Sequence, residues 1–243
     1  MKAGCLPHPY PSPQKGGEWL RPGVAYERPV TVCAVLPDGL GSYLFREVLP
    51  RYALFDAAHR QNHALSVLRR SLQLGVTLGA DPAMLCVVAL FHDLGLCEGR
   101  ASHHLVSGRI LREDTSLRQW FGPDQIELMA QATEDHRASA SHEPRSLYGR
   151  IVAEADRLII PELIMERTLQ YGLDHYPELS PEEHVERALR HLHEKYGPDG
   201  YLRLWIPGSE NERRLHQLWA EMRDEDALRR RLTKILTKTH PHT

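Results

Sequence analysis

At 243 residues, with 42% hydrophobic and 26% charged side chains, the chain has the balance of a soluble globular protein. That length suffices for one well-buried domain, or one domain with an extension. A formal charge of -2 argues against nucleic acid or an anionic membrane as an obligate partner. No apolar run approaches the roughly 20 residues of a membrane span.

The elements are expected to be helical almost throughout. Residues 1–30 are rich in Pro and Gly and show no periodicity, so residues 1–45 read as an N-terminal segment outside the main pattern. Residues 28–36 can form a short extended segment, and a helix can begin at Phe45. From Asp56 the pattern turns helical. Leu65, Leu68, Leu72 and Val76 make one apolar stripe over 57–79, ended by Gly79. Asp81-Pro82 caps a helix that is apolar on nearly every side up to His92-Asp93 and ends at Gly95, so it should lie at the centre of the core. Further helices are expected over 103–113, from Gly122-Pro123 to about 136, and over 146–158, stopped near Pro161. Two more are expected over 162–170 and 181–196, the second with a clear start signal at Ser180-Pro181-Glu182-Glu183. A helix or pair from 209 to 236 closes the chain. The Gly- and Pro-marked stretch from Gly197 to Pro207 reads as a lid, and the arginines from Arg229 onward read as the solvent face of the last helix.

The absence of an apolar leader at the start and of any CxxC spacing among Cys5, Cys33, Cys86 and Cys97 leads us to expect a reduced, cytoplasmic setting, with Cys86 in the core. The 15 histidines are the unusual count. Most can be solvated surface groups, but an adjacent His92-Asp93 in so apolar a helix is costly unless both side chains are satisfied. A divalent cation satisfies both; a plain hydrogen-bonded pair is the alternative.

The string FHDLGL around His92-Asp93 resembles the signature of the HD superfamily of metal-dependent phosphohydrolases. His63 in RQNHALSVL and Asp156 in IVAEADRL match the flanking ligands of that family. The resemblance spans about residues 56–160. It implies an all-α HD-domain bundle, expected over 46–170; residues 171–243 are read from the helix pattern as a C-terminal helical extension packed on it. It also implies a metal set of His63, His92, Asp93 and Asp156. His103 in HHLVSGRIL and His136 in TEDHRAS resemble the extra histidines of the dinuclear subgroup, although the expected proline after His103 is missing and Ser107-Gly108 stands against Gly-Ala. Neighbouring His104 would point about 100° away on a helix, so His103 is preferred. Asp93 would then bridge two ions. One or two divalent metal ions (Fe, Mn, Mg, Ni or Zn) would activate a water for attack on phosphorus. The expected partner is a small phosphorylated substrate, possibly a nucleotide, with no membrane involved and a homo-oligomer possible.

Arg137 and Arg145 are candidates to hold the phosphate, since the planar guanidinium fork fits two phosphate oxygens. Pairing with Glu134 or Glu143 is the alternative for each. Arg60 lies a turn before His63. Ser139 and His142 can add hydrogen bonds, and Glu134 or Asp135 can serve as a general acid or simply form a solvated helix end. His59 shares a helix face with His63, where packing competes with a role at the site. Tyr171, His175 and Tyr176 either line a substrate pocket or pack at the edge of the core. A minority of HD-fold proteins use the same six ligands to hold two irons and activate dioxygen, so a di-iron oxygenase is the alternative to a hydrolase. A nucleotide-binding module without catalysis is a third reading.

Overall fold

The computed structural model describes residues 36–55, 59–138 and 142–239. The Pro/Gly-rich residues 1–30, most of the extended segment expected over 28–36, Cys5, Cys33, Ser139, His240 and His242 lie outside the described residues.

The first helix, α1 (Leu40–Tyr43), starts before the expected Phe45 and continues through a π-helical turn (Leu44–Val48) and a 3-10 helix (Leu49–Leu54). Its apolar residues Leu40, Leu44, Val48 and Tyr52 are buried, which anchors this irregular stretch. Helix α2 (Gln61–Leu78) ends at Gly79 as expected, but only Leu68 and Leu72 of the expected stripe are buried: Leu65 and Val76 are exposed, and Ala64, Val67 and Gly75 complete the inward face, one position round the helix. Helix α3 (Pro82–Phe91) is capped by Asp81, whose Oδ1 accepts from the amides of Ala83 (2.7 Å) and Met84 (3.3 Å). Every residue from Ala83 to Phe91 is buried, so α3 is the central helix. Its α-helical geometry stops at Phe91 rather than Gly95: Asp93 has φ -109° and ψ 4°, and a 3-10 helix, Leu94–Glu98, follows.

Helices α4 (His103–Glu113), α5 (Pro123–Glu134) and α6 (Leu147–Asp156) complete the first layer around α3. Helix α7 (Pro161–His175) begins at the proline expected to stop its predecessor, and runs well past the expected residue 170. Helix α8 (Pro181–Tyr196) carries the capping box its sequence announces. The C-terminal stretch resolves into a pair, α9 (Glu210–Met222) and α10 (Glu225–Thr239). No strand occurs among the described residues, so the architecture is all-α.

Two apolar clusters form. One gathers residues from Leu40 to Ala155, and the other gathers residues from Ile159 to Leu236 on α7–α10. Glu154, 1% exposed, ties them together. Its carboxylate accepts from the Trp205 amide (3.0 Å) and Ser209 Oγ (2.7 Å), and its carbonyl accepts from Asn211 Nδ2 (2.8 Å). Asn211 Oδ1 in turn accepts from the Ile159 amide (3.2 Å) and from Arg70 Nη2 (2.9 Å). The Gly197–Pro207 stretch expected as a lid is therefore fastened to α6 by buried polar contacts.

Two glycines set the spacing of the first layer. A Cβ at Gly95 would lie 2.0 Å from the carbonyl oxygen of His103, so only glycine lets the start of α4 settle onto the turn after α3. A Cβ at Gly108 would lie 2.6 Å from the side chain of Glu134, so glycine there lets α5 approach α4.

Candidate metal centre

The end of α3 is built to present His92 and Asp93. The Tyr52 hydroxyl donates to the Leu90 carbonyl (3.1 Å), which the ending helix has released, and accepts from the Asp93 amide (3.3 Å). Both side chains of the pair are buried, His92 at 0% and Asp93 at 4% exposure.

The two oxygens of Asp93 face two different groups. Oδ2 lies 3.3 Å from His92 Nε2 and 3.5 Å from His63 Nε2. His63 Nε2 is also 3.2 Å from Asp156 Oδ1, so His63, His92 and Asp156 converge on that side. Oδ1 lies 3.5 Å from His103 Nε2 and 3.4 Å from His136 Nε2 on the other side. Six side chains from α2, the α3 terminus, α4, the residues just after α5, and α6 thus meet at one corner. His104 does not share it; its Nδ1 is buried without a partner, and burial with nearby Arg137 pushes it down to about 4.

The protons of this corner follow from its hydrogen bonds. Nδ1 of His92, His103 and His136 lies 2.8, 2.8 and 2.6 Å from the carbonyl oxygens of Ala89, Arg100 and Thr133, each three residues earlier. A carbonyl only accepts, so each Nδ1 donates, and in the neutral ring Nε2 is left as a bare lone pair. The Nε2 atoms of His103 and His136 face one another at 3.1 Å, and those of His63 and His92 at 3.2 Å. Lone pairs and carboxylate oxygens packed this closely repel unless positive charge sits among them. Protons can supply it: against the opposing effect of burial, Asp156 and Asp93 push His63 up to about 10, and Asp93 raises His136. Asp93 and Asp156 are themselves held well below the usual carboxylate range, since the surrounding histidines outweigh burial. Divalent cations supply the same charge with a geometry that imidazole Nε2 and carboxylate oxygens fit, and the backbone-fixed Nδ1 protons orient the rings for it.

Of the arginines expected to hold phosphate, Arg145 is placed otherwise. Its amide and Nε bond the Asp135 carboxylate (2.7 and 3.0 Å), and its Nη2 reaches Glu134 (2.7 Å) and the Gln131 carbonyl (3.1 Å). This is the carboxylate pairing that the sequence left open, and it also occupies Glu134 and Asp135, which were considered as acids. Arg137 donates to the Ala101 carbonyl and lines a cavity of about 510 Å³ with His142, Arg157 and Trp205. Glu143 pairs with Arg150. His59 packs edge-on against His63 and meets Arg100 at 3.1 Å.

The larger cavity, about 690 Å³, is the one that His63 and Asp156 line. Its far wall comes from α7 and α8 and includes Arg167, Tyr171, Tyr176, Arg187 and Lys195, with Arg157 beside Asp156. Tyr171 and Tyr176 thus face a cavity rather than only the edge of the core. The sequence reading passed over Tyr52, Glu154, Arg157, Arg187 and Lys195. A signal existed for α8: Arg187, His191 and Lys195 recur every four residues, but a solvated helix face gives the same pattern.

Residues 60–159 match the sequence model of the HD domain. No curated protein and no solved structure matches the chain. HD domains are in general metal-dependent hydrolases, and two donor groups, His63 with His92 and Asp156, and Asp93 with His103 and His136, could each hold an ion. Among the described residues, no single helix is long and apolar enough to cross a membrane.

Proposed function

We propose that the chain is a metal-dependent phosphohydrolase acting on a small phosphorylated molecule, with His63, His92 and Asp156 holding one divalent cation, His103 and His136 a second, and Asp93 bridging both. The observation that carries this reading is the split of the Asp93 carboxylate between two donor groups, one of which opens through His63 and Asp156 onto a cavity lined by cationic side chains. Bound there, divalent cations supply a nucleophile from water at neutral pH and counter-charge for the phosphoryl oxygens.

The chain's own residues do the rest. The carbonyls of Ala89, Arg100 and Thr133 fix the three imidazole rings, so the donor atoms are oriented before anything binds. Burial of His92, Asp93 and His136 shields that side of the corner from bulk water, leaving access from the side of His63 and Asp156. Arg157, adjacent to Asp156 and 6% exposed, adds a fixed positive charge at the mouth.

The test is metal analysis of the protein as purified, followed by turnover of p-nitrophenyl phosphate with manganese, magnesium or nickel under anaerobic conditions. Hydrolysis without dioxygen, abolished with metal binding in Asp93→Ala, is the expected result. Two irons per chain with turnover that requires dioxygen would overturn it in favour of an oxygenase.

A further inference from the structure

The chain has 30 Lys and Arg against 32 Asp and Glu, so carboxylates are available to neutralise every cation. Six arginines outside the cavity do have such partners: Arg109, Arg112, Arg150, Arg214, Arg229 and Arg231 each sit against at least one glutamate. The 690 Å³ cavity is treated differently. Asp156 is the sole carboxylate among its lining residues, and it faces the histidine corner. Among the described residues, Arg157, Arg167, Arg187 and Lys195 have no carboxylate within ion-pair distance. Arg157 Nε and Nη1 are buried with no hydrogen-bond partner, and so is Arg187 Nε.

Arg187 is nevertheless held in place. Its Nη2 donates to the Thr168 carbonyl, and its guanidinium lies 5.7 Å from the ring centroids of both Tyr171 and Tyr176. The Tyr171 ring is itself stacked on His175 at 3.9 Å. A carbonyl and two π faces fix a guanidinium without cancelling its charge, as a carboxylate would. Burial, with a smaller push from nearby Arg190, depresses Arg187 below the usual guanidinium range, so the site disfavours the bare cation and an arriving anion relieves it.

We propose that the substrate carries a second anionic group, remote from the phosphoryl group at the metals, and that Arg187 receives it, with Tyr171 and Tyr176 as positioning residues. This rests on the metal-dependent phosphohydrolase reading and narrows it to compounds with at least two phosphates or an equivalent pair of anions. The two tyrosine rings act through the guanidinium they carry, since Tyr171 is covered by His175 on one side and Arg187 lies over the ring. Arg157, next to Asp156 and lining the same cavity, adds a further cation there.

The test compares equilibrium binding of adenosine diphosphate, adenosine triphosphate and fructose 1,6-bisphosphate, whose outer phosphates are spaced differently, with that of phenyl phosphate. Metal-loaded and metal-free protein are both titrated, so the readout does not depend on turnover. At least one two-phosphate compound is expected to bind tenfold or more tighter than phenyl phosphate. Arg187→Gln should erase most of that preference, Arg187→Lys should restore part of it, and Tyr171→Leu should weaken it without changing charge. The proposal is overturned if all three compounds bind no better than phenyl phosphate, or if Arg187→Gln weakens all four equally. Failure of the hydrolase reading shows separately, as preferential binding with no metal-dependent turnover of any of them.

Discussion

His103 and His104 are adjacent, yet only His103 faces Asp93, because the start of α4 rests on Gly95 and directs a single side chain inward. His103→Ala should therefore lose about one equivalent of metal, while His104→Ala keeps the full complement, as counted by metal analysis of the purified variants. Tyr52 acts through the backbone instead. Removing its hydroxyl with Tyr52→Phe leaves the Leu90 carbonyl and the Asp93 amide without a buried partner, at a cost of about 1–3 kcal/mol in urea unfolding. The same change loosens the turn that aims Asp93, so metal affinity should fall roughly tenfold or more. These two histidines show what sequence can specify: a choice between neighbours, made from helical geometry and family pattern. Tyr52 shows what it cannot. It lies 41 residues from Asp93, and nothing in the local string RYALF marks it as a support for that residue.

At the level of elements, α4 and α5 are joined by Arg112, which reaches Glu127 (2.7 Å) and Glu134, while Arg145 clasps Glu134 from the following segment. Arg112 holds Glu127 down to about 2. Arg112 and Arg145 hold Glu134 below its ordinary range despite partial burial. A carboxylate with a depressed folded-state pKa stabilises the fold above its ordinary pKa, and that contribution is lost as pH falls through the folded-state value. The stability profile should thus drop from about pH 5 toward pH 2, and Arg112→Met should flatten this limb when urea midpoints are measured across that range. Gly95→Ala tests the contact between α4 and the turn after α3. A Cβ 2.0 Å from the His103 carbonyl must push α4 away, so the variant should lose stability and the ion expected at His103 together.

Helix ends with capping residues were the best-read elements. Asp81-Pro82 and Ser180-Pro181 open helices where their sequence signals fall. Boundaries without such signals moved. Helix α7 outruns its expected end because Gly172 is buried and Leu173 packs against the second cluster, a tertiary effect that periodicity over 162–170 does not reveal. The six-residue corner was readable because each member sits in a short string with its own pattern. The cationic wall of the cavity was not: Arg187 and Lys195 look like any solvated helix face until α8 is placed across from Asp156.

At the scale of the whole molecule, metal binding should couple to stability, since the six side chains come from helices spread over residues 63–156. Saturating metal at a hundredfold excess over Kd contributes about 2.7 kcal/mol. For a chain of this size, chelation should lower the Tm by about 5–10 °C, read by calorimetry with and without chelator. Glu154→Ala strikes the other junction. It leaves Ser209 and the Trp205 amide without their acceptor, so the α7–α10 cluster should loosen first, visible as early hydrogen exchange in α9 ahead of α3.

The cavity has two walls of different origin. One belongs to the corner of histidines and aspartates; the other is contributed by the pair of helices that follow Pro161. Under the proposed function, bond-breaking chemistry and molecular recognition would be written in separate stretches of the chain. A relative could exchange the residues at 167, 171, 187 and 195 and change its diet while every donor atom at the Asp93 corner stayed where it is.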